Sequence, residues 1–222
     1  KRQVLRTPST GIVETDTNKG LVKYAKPAGV IASLIPMTNP AMTPPVTGIS
    51  SANARNAVIF SPHPRTAATT FEMSRIMRAA CHAVGAPEDI FQCIERPSIP
   101  MTQYLMESCD LTLATGGKPM VQAAYSSGKP AYGVGAGNST IVVDATADLN
   151  EAAKNIMISK TSDFGSGCSA DGNIVIQKSI YSNMVSQLKA NNGYLCNSTQ
   201  TKLLSRVTVS YTHLTLPTML WV

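Results

Sequence analysis

From Pro27 to Lys160, short apolar runs rich in Val and Ile alternate with longer segments whose apolar residues recur at helical spacing. No other feature constrains the fold as strongly, because strands alternating with helices build a parallel sheet covered on both faces. Gly29–Leu34 and Ala57–Phe60 are continuously apolar, as strands buried on both sides are. Further strands are expected at Asp89–Ile94, Leu111–Ala114, Pro130–Val134 and Thr140–Val143. Helices are expected at Thr43–Arg55, with Pro44 and Pro45 in its first turn, and at Arg65–Val84, Met101–Ser108, Lys118–Ser127 and Asn150–Lys160. In Arg65–Val84 the expected buried face is Phe71/Met73, Ile76, Met77, Ala80 and Val84, with Gly85 as the stop. The corresponding stripe of the last helix is Leu149, Ala152, Ala153, Ile156 and Met157.

After Lys160 the pattern changes to a glycine-rich loop, Asp163–Cys168, then a strand at Asn173–Gln177 and a helix at Tyr181–Ala190. The expected fold class is α/β: an open, mostly parallel Rossmann-like sheet with helices on both faces over residues 27–160. Residues 161–206 then begin a second α/β domain. The strand order stays open.

Composition narrows the rest. Of the residues, 43% are hydrophobic and 14% charged, and 15 Gly with 14 Pro is an ordinary share; together these exclude collagen-like and strongly disordered chains. No run approaches the roughly 18 apolar residues of a membrane helix, and no secretory signal is visible. The chain starts at Lys1 and reads as a piece of a longer protein. Of the net charge of +6, much sits in residues 1–26, where six bases face Glu14 and Asp16. With Tyr24 as the one aromatic there, this is a solvated surface or hairpin segment rather than a nucleic-acid stripe. Five widely spaced cysteines without a C-x-x-C imply neither a disulfide framework nor a zinc site, and suit a reducing cytoplasm. Three histidines suggest no metal cluster. Residues 207–222 lack charge and match nothing before them; their SYTHLTLPT segment resembles translated adaptor sequence and reads as a non-native tail.

Four places could carry chemistry. Gly133-Val-Gly-Ala-Gly137 lacks the helix that a dinucleotide fingerprint needs after its glycines, and reads equally as a structural turn. Ala114-Thr-Gly-Gly117 follows a strand and opens a helix, so its backbone N–H groups could face a phosphate or a cofactor ring, or could serve a simple chain reversal. Cys168 lies in Gly-Ser-Gly-Cys-Ser, where small neighbours leave its sulfur reachable, as a nucleophile requires; an inert loop cysteine is the alternative. Asn39 ends the first strand of the sheet, where an amide could donate to an oxyanion or shape an Asn-Pro turn.

Together these stretches resemble one family. Pro27-Ala-Gly-Val-Ile with Ile35-Pro-Met-Thr-Asn-Pro, Asn56-Ala-Val-Ile-Phe-Ser-Pro-His-Pro-Arg65 and Leu113-Ala-Thr-Gly-Gly117 are similar, in order, to the CoA-acylating branch of the aldehyde dehydrogenase superfamily. So are Ala123–Asn138 and Ser159–Cys168, and the resemblance covers residues from about 10 to 206. It implies that Cys168 attacks the aldehyde to form a thiohemiacetal, and that hydride loss to NAD or NADP leaves a thioester. It implies that Asn39, with the Cys168 backbone N–H, holds the oxyanion. Pro36, Thr38, Ser61, His63, Thr115, Gly116, Gly117, Val134 and Gly135 would line the NAD(P) cleft. Arg65, with no acidic neighbour where hydrolytic relatives carry Lys-Pro-x-Glu, would tolerate a 2′-phosphate.

Hydrolytic relatives also carry a water-activating glutamate in the segment matching Gly133–Gly137, and this chain has no carboxylate between Gly116 and Asp144. The implied acceptor is therefore CoA, the implied partners are a small aldehyde and a second copy of the chain, and no metal, nucleic acid or membrane is called for. Ser162, Phe164 and Ser169-Ala-Asp-Gly-Asn173 depart from the acetaldehyde-type pattern, leaving sulfoacetaldehyde and succinate semialdehyde as open substrates. The alternatives are a hydrolytic aldehyde dehydrogenase and a dinucleotide-binding module without catalysis.

Overall fold

The computed structural model describes residue 4 and residues 6–208, apart from residues 136, 138 and 166. The non-native tail expected from residue 207 lies outside the described residues from 209 onward. Contacts divide the chain into two compact units, one ending at Gly135 and one following it.

The first unit opens with an antiparallel hairpin of β1 (Gly11–Asp16) and β2 (Leu21–Ala25). Asp16 makes its turn by accepting the N–H groups of Asn18 and Lys19, both at 3.1 Å. Five parallel strands follow, each but the last succeeded by a helix: β3 (Val30–Ile35), α1 (Thr43–Asn53), β4 (Ala57–Pro62), α2 (Ala67–His82), β5 (Phe91–Cys93), α3 (Ile99–Ser108), β6 (Leu111–Thr115), α4 (Lys118–Tyr125) and β7 (Ala131–Val134). The sheet order is β5-β4-β3-β6-β7.

The pleat sorts the core. On one face Ile31, Ile35, Val58, Phe60 and Phe91 form a buried cluster against Ala52 of α1 and Met77 and Cys81 of α2. On the other, Ala32 and Leu34 meet Leu105 and Met106 of α3 and Ala124 of α4. The continuous apolar run of β3 is thus explained by burial on both sides, as expected from the sequence. Asn56 locks the entry to the sheet: its Oδ1 accepts from the N–H groups of Ala28 (2.6 Å) and Gly29 (2.9 Å), while its Nδ2 donates to Ser51 and Ala54 carbonyls, both at 3.2 Å.

The buried face of α2 differs from the expected one. Thr70 and Ser74 are its buried residues, with Met77 and Cys81 in line behind them, whereas Phe71 is 39%, Ile76 49% and Val84 81% exposed. Helix periodicity finds the apolar stripe, but α2 here lies close against its neighbours through small hydroxyl side chains. Thr70 satisfies its hydroxyl by donating to the Pro40 carbonyl at 3.2 Å.

In the second unit β8 (Ser139–Val143) pairs in parallel with β9 (Asp171–Ile176). Helices α5 (Leu149–Thr161) and α6 (Tyr181–Ala190) pack with them, and α7 (Ser198–Thr208) follows in the chain. Val143, Ala153, Ile156, Ile176 and Met184 form its core, flanked by Leu149 and Ala152, so the expected stripe of α5 is the buried one. Asp148 caps α5, accepting the N–H groups of Asn150 and Glu151. β8 and α5, grouped by the sequence pattern with the preceding strands, pack with β9 and α6 instead. Among the described residues no helix is long and apolar enough to cross a membrane.

Candidate active site

The order of the five-stranded sheet creates a place for a ligand. From β3 the chain moves outward to β4 and β5, then returns past β3 to β6 and β7. The loops leaving the carboxyl ends of β3 and β6 therefore diverge, and open α/β sheets bind ligands in the crevice so formed.

On the β3 side, Pro36 is half-buried and Thr38 and Asn39 are exposed. The loop is held by its backbone: the Asn39 carbonyl accepts from Thr43 N–H (3.3 Å) and Thr43 Oγ1 (2.7 Å), and Pro40 accepts from Thr70. The Asn39 amide itself has no hydrogen-bond partner among the described residues, so it is available to a ligand. Thr43 and Thr70 had no sequence signal beyond their helical setting; they position this loop.

At the end of β4, the Ser61 hydroxyl is buried and shares a 2.8 Å hydrogen bond with Thr102 Oγ1. It faces α3 rather than solvent. His63 is exposed, and its N–H donates to the Ile35 carbonyl at 3.2 Å, joining the ends of β3 and β4. His63 Nδ1 accepts the Arg65 N–H at 3.2 Å, which leaves Nε2 to carry the proton of the neutral ring. Arg65 is exposed and forms no ion pair among the described residues.

Across the crevice, Thr115 and Val134 end β6 and β7 in register, and the Gly116 N–H donates to the Val134 carbonyl at 3.1 Å. Gly117 is the N-cap of α4 and offers no side-chain cap, so the N–H groups of Lys118 and Met120 in the first turn keep their polarity toward a ligand. A Cβ on Gly135 would meet nothing within 4 Å, whereas one on Gly133 would run into the Val121 side chain and the Tyr125 ring. Gly133 is therefore needed for packing and Gly135 borders open space. The structure thus brings Thr115, Gly116, Gly117, Val134 and Gly135 to one sheet edge; residue 136 of the expected glycine turn lies outside the described residues. Uncapped helix amides beside glycines suit a dinucleotide phosphate.

Cys168 belongs to the second unit. It is exposed on a turn closed by Ala170 N–H donating to the Gly167 carbonyl at 3.0 Å, just before β9. The turn is tied back to α5 by Asp171 N–H donating to Ser159 Oγ at 3.2 Å. The other thiols are shielded to different degrees. Cys109 is buried, with its sulfur 3.4 Å from both the Leu111 carbonyl and Thr112 Oγ1. Burial pushes the Cys93 thiol up to about 11, and Cys81 and Cys196 are half-buried. Cys168 alone of the five is exposed.

The aldehyde dehydrogenase family model matches residues 3–195. A sulfoacetaldehyde dehydrogenase from an Acholeplasma species is 46% identical over 180 residues, covering 81% of this chain and 37% of that protein. The crystal structure of an acetylating aldehyde dehydrogenase from Geobacillus thermoglucosidasius superposes with a TM-score of 0.83 at 36% identity, covering 93% of this chain and 46% of the other. A propionaldehyde dehydrogenase from Rhodopseudomonas palustris with bound propionyl-CoA superposes with a TM-score of 0.71 at 34% identity, over 82% and 41% of the two chains. The chain therefore spans less than half the length of each of these proteins.

Proposed function

The chain belongs to the aldehyde dehydrogenase family, and from that premise we propose that it is the cofactor-binding part and the nucleophile-bearing segment of a CoA-acylating aldehyde dehydrogenase. In this reading the five-stranded unit up to Gly135 holds NAD(P), and the unit that follows it, β8 and α5 included, begins the catalytic part. The observation that carries it is the thiol of Cys168, exposed on a turn of small residues, while Cys109 is buried and Cys93 is half-buried with its thiol pushed up to about 11. An acyl acceptor other than water is supported by the lack of any carboxylate between Gly116 and Asp144 and by the propionyl-CoA held by a similar structure.

The Cys168 sulfur, as thiolate, adds to the aldehyde carbonyl, forming a C–S bond and an alkoxide. The Cys168 backbone N–H and the Asn39 amide are assigned to stabilise that alkoxide. Bound NAD(P)+ would supply the hydride acceptor, and Thr115, Gly116, Gly117, Val134 and Gly135 are the residues that would hold it on one side, with Pro36, Thr38 and His63 on the other; Ser61, bonded to Thr102, would support that side from beneath. Cys168 then carries the acyl group as a thioester. The CoA thiolate attacks the thioester carbonyl, the C–S bond to Cys168 breaks, and acyl-CoA leaves with the enzyme thiolate restored. Such chemistry suits a reducing, cytoplasmic compartment, where thiols stay free.

The test uses the full-length enzyme. Cys168→Ala should abolish aldehyde-dependent cofactor reduction and leave cofactor binding, measured by NAD(P)H fluorescence, within a few-fold. Near-native turnover in that variant overturns the assignment.

A further inference from the structure

The segment joining α5 to β9 holds one bulky side chain. From residue 162 to 170 it reads Ser, Asp, Phe, Gly, Ser, Gly, Cys, Ser, Ala, and Phe164 alone is large. Phe164 is 100% exposed. Its backbone is left-handed, with φ at +54°, and Gly165 follows at +73°. That conformation is strained for an aromatic residue, which has no short polar side chain to bond its own backbone. Gly165 shows why the chain bends there: a Cβ on it would lie 2.9 Å from the Lys160 carbonyl oxygen, so the segment folds back closely on the end of α5. A left-handed backbone at an aromatic residue opposes folding, and here it coincides with a ring that no described residue covers, four positions before Cys168. Backbone strain of this kind is found where the surroundings of a functional group require it.

We propose that Phe164 determines substrate specificity: its ring packs against the carbon chain of the acyl group carried on Cys168 and favours aldehydes with an apolar chain. The inference rests on the reading of Cys168 as nucleophile. The small residues beside Cys168 offer an acyl chain little apolar surface, and Phe164 is the nearest side chain in sequence that can. Four residues of chain keep the Phe164 Cα within about 14 Å of the Cys168 Cα, the full contour of such a stretch.

The experiment compares acetaldehyde with hexanal in the full-length enzyme. Phe164→Asn removes the ring with a residue that tolerates the left-handed backbone, and Phe164→Leu keeps apolar bulk. Phe164→Asn should lower kcat/KM for hexanal by about tenfold or more, in the range set by apolar pocket contacts, with acetaldehyde within about threefold and Tm unchanged or raised, because Asn relieves the left-handed backbone. Phe164→Leu should recover most of the hexanal rate. An unchanged ratio between the two aldehydes, or a wild-type enzyme that rejects hexanal, overturns the proposal. So does a fall in Tm with both rates falling together, because the ring would then be packing against another part of the protein. Loss of all turnover in Cys168→Ala beside an unmoved ratio in Phe164→Asn sinks this inference alone, whereas an active Cys168→Ala sinks the nucleophile reading.

Discussion

Gly116 donates its backbone N–H to the carbonyl of Val134 across 3.1 Å, tying the last residues of β6 and β7 together at the carboxyl edge of the sheet. The bond sets the glycines before α4 beside Gly135, although Val134 lies 18 positions beyond Gly116 in the sequence. Gly133 makes the pairing possible, since its bare Cα lets Val121 and Tyr125 of α4 close over β7, and its N–H donates to the Tyr125 hydroxyl at 3.0 Å.

Gly133→Ala should therefore push α4 and β7 apart. The expected cost is about 1–3 kcal/mol, the usual range for overpacking, with weaker NAD(P)H binding because Val134 and Gly135 move with the strand. Thermal melts and a fluorescence titration of the variant check both effects; native values in both would show that the contact is relieved without moving the edge.

Asn39→Ala should lower kcat by about 10²–10³, the loss typical of one oxyanion donor, with cofactor affinity little changed. The hydrogen bonds that hold the loop come from the Asn39 and Pro40 carbonyls, which the variant keeps. An unaltered kcat, with chemistry shown to be rate-limiting, would reduce Asn39 to a turn residue.

Asn56→Ala should act on stability instead. It leaves the N–H groups of Ala28 and Gly29 and two carbonyls without their shared partner, at a cost of about 2–4 kcal/mol. Denaturant unfolding measures it, and a change below about 1 kcal/mol would mean that water replaces the amide.

Reactivity should separate the thiols. Brief iodoacetamide treatment near pH 8 followed by peptide mapping should find Cys168 modified first. Cys93, pushed up to about 11 by burial, stays protonated there and should lag, as should Cys109 in its buried hydrogen-bonded setting. Faster labelling of Cys93 than Cys168 contradicts this ordering.

The strands were the most legible part of the sequence, and the reason is physical. β3 and β4 are buried on both sides, so nearly every residue in them must be apolar and the run shows itself. The α2 face was hidden because Thr70 and Ser74 do the burying there; short hydroxyl side chains leave no apolar signature, and Thr70 donates its own to the Pro40 carbonyl across the interface. The pairing of β8 with β9 was equally invisible, since parallel partners 32 residues apart carry no local mark of which sheet they join. Of the candidate site, Thr115, Gly116 and Gly117 could be placed from their strand–glycine–helix setting alone. The roles proposed for Asn39 and Cys168 rest on the resemblance, and the burial of Ser61 against Thr102 came only from the fold.

The central claim concerns where the acyl group goes. The proposed thioester on Cys168 is slow to react with neutral water unless a positioned base assists, a contribution of typically 10²–10⁴ in rate, and the stretch between Gly116 and Asp144 offers no carboxylate for that task. The most direct measurement follows NAD(P)H formation and product identity in the full-length enzyme with and without CoA. The account predicts sustained turnover to acyl-CoA when CoA is present, and without it a burst of about one cofactor reduced per active site followed by slow turnover. Equal steady-state turnover to the free acid in the absence of CoA would contradict it and make the enzyme a hydrolytic aldehyde dehydrogenase.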